Sequence, residues 1–166
     1  KRLYERIKNK TTVQQSLIGS KIREFEDNNF IRKYGLCKID LELFDCGIYK
    51  TNVFNGNNFY EYSNEPFEKI FNIFKNVNDT SLVVCPLAVG RHSDHLNVFN
   101  SIIKIKNLFG EKIVLCFYFD LPYSTYEENI NTRLQEIKSI LKNYIIFPYQ
   151  LSEIDINNKV NDIMLY

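Results

Sequence analysis

The chain has 166 residues, of which 45% are hydrophobic, enough for a single domain with a real core. Lysine and arginine number 21 against 20 acidic residues, so no electrostatic footprint exists for nucleic acid or for an anionic membrane. No apolar run approaches the roughly 20 residues that span a bilayer, and the basic start KRLYERIKNK leads into no signal-type apolar stretch, so the chain reads as soluble. The four cysteines, Cys37, Cys46, Cys85 and Cys116, are scattered with no C-x-x-C pair, which suits free thiols in a reducing cytoplasm.

Ile18, Ile22 and Phe25 fall at helical spacing within residues 12–34, and Gly35 stands where a C-cap glycine would, so this segment reads as one long amphipathic helix. Cys37 to Phe44 alternates, as a strand does. A loop rich in asparagine and glycine follows over 51–58. Phe67, Ile70, Phe71 and Phe74 form a second helix face. Leu82 to Leu87 is a short continuous apolar run, as in a strand buried on both faces.

Leu96, Phe99, Ile102, Ile103 and Leu108 mark a third helix ended by Gly110, and Ile113 to Phe119 is another apolar strand. A helix at 129–142, a strand at 144–148 and a final helix at 154–166 complete the order. Strands alternating with helices predict an α/β fold, a Rossmann-like, mostly parallel sheet with helices on both faces. Leu82–Leu87 and Ile113–Phe119 should be parallel neighbours joined through the helix at 94–108. Ligands in such sheets sit at the carboxyl ends of the strands.

The only histidines, His92 and His95, lie in the segment Pro86-Leu-Ala-Val-Gly-Arg-His-Ser-Asp-His95 at such a strand end. H-x-D-H is a metal-site spacing, since neutral imidazoles bind zinc or ferrous iron well and Asp94 could fix a ring tautomer. The same residues allow a second reading, with Ser93 or Asp94 capping the next helix and the histidines solvated in its first turn. A metallo-β-lactamase pattern would need a histidine at position 90, where Gly90 instead suggests a tight turn or a close backbone approach.

Pro86-Leu-Ala-Val-Gly90 leading into His92-Ser-Asp-His95, then Phe117-Tyr-Phe-Asp-Leu-Pro-Tyr123, resembles two signature segments of the LmbE/PIG-L-like N-acetylglucosaminyl deacetylases. Arg23-Glu-Phe-Glu-Asp27 and Leu43-Phe-Asp-Cys-Gly-Ile-Tyr49 are similar to two further segments of that family, in the same order. The resemblance implies a divalent metal, Zn2+ or Fe2+, bound by His95. It implies that His92 stabilises the oxyanion of the tetrahedral intermediate, that Asp94 orients His92, and that Arg23 and Asp45 line the sugar pocket. The implied substrate is an N-acetylated amino sugar or its glycoconjugate. By residue type alone, Arg23 is equally a surface partner of Glu26 or Asp27, Asp45 equally a turn residue, and Tyr118 and Tyr123 read as aromatic core near the site.

Two departures accompany the resemblance. Phe119 stands where the family has an acidic residue. The family's first segment, of H-P-D-D type, which supplies the remaining metal ligands and the general base, is missing from these residues. Because the sequence starts at Lys1, the expectation is a single-domain fragment whose upstream part carries that segment and the first strand; without it the sheet has an open edge, which favours association, a homo-oligomer being one form of it, or partial disorder. The competing expectation is a non-catalytic carbohydrate-binding or interaction domain. A nucleotide-binding module would need a G-x-G-x-x-G or Walker loop, and neither is present.

Overall fold

The computed structural model describes residues 12–43, 64–141 and 152–163, together with Ile145 and Phe147. They belong to two compact units, drawn from Lys1–Asp40 with Ile145–Tyr166 and from Leu41–Tyr144. In the first unit, helix α1 (Thr12–Tyr34) ends where glycine allows it. Gly35 adopts φ +61°, and the Leu36 N–H reaches back to the Ile31 carbonyl at 3.0 Å, a Schellman closure. The apolar stripe expected on α1 is only partly buried: Ile18 and Ile22 are half-buried and Phe25 is exposed. The last helix, Glu153–Ile163, starts at a Ser152 whose hydroxyl and N–H both bond Asp155. Asp162 accepts from Lys33 and Tyr34.

In the second unit, helix α2 (Glu65–Phe74) begins with Pro66 in its first positions and Glu65 and Glu68 in its first turn, all favourable at a helix N-terminus. It buries Ile70 against helix α3 (Ser93–Phe109). Between them in sequence lies strand β1 (Ser81–Pro86), paired in parallel with β2 (Ile113–Tyr118) from Ser81 opposite Ile113 to Pro86 opposite Tyr118. Helix α3 is their crossover, as expected. It stops at Gly110 (φ +58°), where the Lys106 ammonium bonds the Gly110 and Ile113 carbonyls. Helix α4 (Glu127–Ile137) closes the unit, with Ile137 in the core beside Leu87 and Phe99.

The sheet thus has one packed face and one open face among the described residues. Cys85, Ile113, Val83, Leu115 and Phe117 pack with Ile102 and Ile105 of α3. Leu82, Val84, Val114 and Tyr118, at alternate positions, remain 49% exposed or more. The sequence pattern predicts a strand buried on both faces; among the described residues helices cover only one. The strand expected at Cys37–Phe44 is not formed either, since residues 37–43 have no regular structure and Phe44 is not described. The loop expected over 51–58 lies outside the described residues, as does most of the strand expected at 144–148. No described helix is long and apolar enough to cross a membrane.

Cys37, Cys85 and Cys116 are all free thiols. Burial, with a smaller contribution from Cys116, pushes the Cys85 thiol up to about 12. At pH 8 its thiolate fraction would be about one part in ten thousand. Alkylation of the folded protein, followed by peptide mass spectrometry, should therefore label Cys37 and Cys116 and spare Cys85 until denaturant is added. Equal labelling of Cys85 and Cys116 in native buffer would contradict the β1–α3 packing.

Candidate active site at the strand ends

The apolar run of β1 ends at Pro86, and the chain turns sharply before α3 begins. Leu87 still donates to the Tyr118 carbonyl at 2.9 Å, but Ala88 (φ +61°), Gly90 (φ +76°) and Arg91 (φ +60°) are left-handed. Only glycine takes that conformation without steric cost. Gly90 is also pressed on its neighbour, because a Cβ there would lie 2.7 Å from Cβ of Tyr123. The close approach expected from the sequence is present. Gly90→Ala should therefore destabilise the unit by roughly 2–5 kcal/mol, the sum of left-handed strain and overpacking. Thermal unfolding would measure this, and a change under about 0.5 kcal/mol would mean the turn is adaptable.

The turn delivers His92 to the N-cap position of α3. No side chain makes a cap hydrogen bond there; the Leu96 N–H bonds the His92 carbonyl instead, so the reading of Ser93 or Asp94 as the cap does not hold. Ser93 is buried, and Asp94 stands in the first turn, where its charge suits the helix N-terminus. One turn on, His95 lies beside the end of β2. Its Nδ1 is 2.7 Å from Oδ2 of Asp120, while Oδ1 of the same carboxylate accepts the Val89 N–H at 3.1 Å.

Asp120 is only 3% exposed, so a carboxylate has been buried against two donors. Because a carboxylate only accepts, Nδ1 of His95 is the donor in this contact, and in a neutral ring the lone pair is then on Nε2. The rings of His92, His95 and Tyr123 form a cluster, with centroids 5.1 Å apart between the histidines and 5.8 Å from each to Tyr123. Tyr118 is half exposed rather than core, and burial of its phenol, followed by the Asp120 charge, raises its pKa and keeps it protonated.

The histidine pair and the aspartate thus sit at the carboxyl ends of two neighbouring parallel strands, where α/β sheets bind ligands. Compared with known protein families, curated proteins and solved structures, the chain has no match. Of the other residues expected in the site, Arg23 lies on the exposed surface of α1 in the first unit, and Asp45 lies outside the described residues.

A catalytic zinc requires three protein ligands and an open position. Among the described residues no three histidine, cysteine, aspartate or glutamate side chains come together for a metal. Nε2 of His95 fits one corner of such a site, with Asp120 as the carboxylate behind it, but the described donor set does not complete one. Asp120 is the residue that the sequence reading passed over as a site residue. Its signal was an acidic residue directly after the second apolar strand, within the Asp-Leu-Pro-Tyr segment.

Proposed function

We propose that the chain carries the histidine side of a metal-dependent hydrolase that removes the N-acetyl group from an amino sugar or its conjugate, in the manner of the LmbE/PIG-L deacetylases. The observation that carries this reading is the 2.7 Å contact between His95 Nδ1 and a buried Asp120. A carboxylate behind one ring nitrogen fixes the tautomer and makes the other a better ligand. A divalent ion, Zn2+ or Fe2+, held in part by His95 would activate water and polarise the acyl carbonyl.

The remaining chemistry falls to the chain's own groups. Asp120 keeps the His95 proton on Nδ1. His92, at the helix N-terminus and 5.1 Å from the His95 ring, is the group placed to donate to an oxyanion. Tyr123 packs against both rings and excludes water from one side of them. The missing ligands and the general base would come from a segment outside the described residues. β1 and β2 would then be two strands of a larger Rossmann-like sheet, a reading supported by their open apolar face, since parallel sheets are normally covered on both sides. The free thiols suit a cytoplasmic protein.

A second reading, a carbohydrate-binding domain without catalysis, is favoured by the incomplete donor set among the described residues. The two are separated by measuring acetate release from N-acetylglucosamine derivatives with the full-length gene product supplied with zinc or ferrous iron. Turnover lost in His95→Ala is expected. Binding of the same sugars with no acetate released, and no effect of His95→Ala, would favour the second reading and overturn the first.

A further inference from the structure

The turn that presents His92 is tied at both ends to helix α4, far away in sequence. Arg133 is 6% exposed. Its Nε donates to the Leu87 carbonyl at 2.8 Å, its Nη1 donates to Glu136 at 3.0 Å, and its guanidinium lies 4.5 Å from the centre of the Phe99 ring. Glu136 in turn stands 3.5 Å from the Arg91 guanidinium. Leu87 precedes and Arg91 ends the stretch that holds the three left-handed residues Ala88, Gly90 and Arg91, and a turn of that shape persists only where its surroundings over-determine it.

Packing alone does not account for an arginine here. Its Nη2 is buried with no hydrogen-bond partner among the described residues, and an apolar side chain of similar volume would be at least as stabilising in such a place. What an apolar side chain could not do is hold a carbonyl and a carboxylate at once in a fixed fork. We infer that Arg133 is a positioning residue for the histidine site: through Leu87 and, by way of Glu136, Arg91, it sets the turn that seats Val89 on Asp120 and places His92 beside His95. The assignment of the histidines as the reacting groups rests on the proposed function; the clamp itself does not.

The test is nuclear magnetic resonance on the folded chain, comparing wild type with Arg133→Met. The clamp requires the Val89 amide to exchange with solvent at least about tenfold faster in the variant while the Leu115 amide in β2 is unchanged. The downfield proton on His95 Nδ1, the signature of its bond to Asp120, should also be lost. Arg133→Lys keeps the cation without the fork and should restore the signals only in part. A lowered melting temperature with the Val89 and His95 signals unchanged would show a purely structural arginine and overturn the inference. If Arg133→Met does not fold, Glu136→Ala at its part-exposed position decides: the same two signals must move, and their constancy overturns the inference. Loss of both signals in a protein whose full-length form releases no acetate would retain the clamp and remove the proposed function.

Discussion

Under the proposed function, replacing His95 with alanine is expected to abolish metal binding by the full-length protein, whereas His92→Ala should leave the metal in place and remove most of the turnover. The asymmetry follows from their surroundings. His95 has Asp120 at 2.7 Å behind Nδ1, which leaves Nε2 as a lone-pair donor. His92 occupies the N-cap of α3 at the end of a constrained turn, the position from which the proposed function has it meet developing negative charge. An oxyanion donor is worth about 3–4 kcal/mol in the transition state, or roughly 100- to 1,000-fold in kcat. Metal content by plasma mass spectrometry and kcat on an N-acetylated amino sugar measure the two effects separately. Equal loss of metal in both variants would show that the roles have been assigned to the wrong rings.

Asparagine at position 120 should damage the site far more than the fold. The side chain keeps its size and can still accept the Val89 N–H, which Asp120 accepts at 3.1 Å. Its amide group facing His95 would donate to Nδ1, pushing the ring proton to Nε2 and blocking the ligand lone pair. Loss of such a partner typically lowers metal affinity or activity about 10- to 100-fold. Asp120→Ala should add a stability cost of roughly 1–3 kcal/mol, because the Val89 N–H is then buried without a partner. Zinc affinity by calorimetry, read beside urea unfolding, would check both. Wild-type affinity in Asp120→Asn would mean that the contact does not set the tautomer.

The legible parts of the fold were those carried by local pattern. The Phe67, Ile70, Phe71, Phe74 spacing, the two apolar strands and the Gly110 stop all lie within one element each, so neighbouring residues suffice to read them. Gly90 was legible too, since a glycine between strand and helix signals a turn or a close approach, and Tyr123 supplies the approach. Cys37 to Leu43 misled because alternation marks a strand only where a partner strand is available, and none pairs with it among the described residues. The open sheet face was hidden for a related reason: Leu82 and Val84 are as apolar as Val83 and Cys85, and only the placement of the helices separates them.

The site divides in the same way. His92 and His95 announced themselves by composition and spacing. Asp120 is 25 positions from His95, and only the parallel pairing of β1 with β2 brings the two strand ends side by side. Arg133 is further hidden, being an arginine in a helix whose surface pattern is otherwise ordinary, and its partner is a backbone carbonyl 46 positions away. No periodicity reports a bond of that kind.

The most direct measurement is a zinc titration of the chain followed through the side-chain 1H–15N resonances of its two histidines. The Nε2 signal of His95 should shift first, weakly bound but saturable. Its Nδ1 proton should stay in the bond to Asp120, and His92 should lag. Zinc that moves both rings in parallel, or that leaves His95 unmoved, would contradict the assignment of His95 as the metal ligand and the hydrolase reading with it.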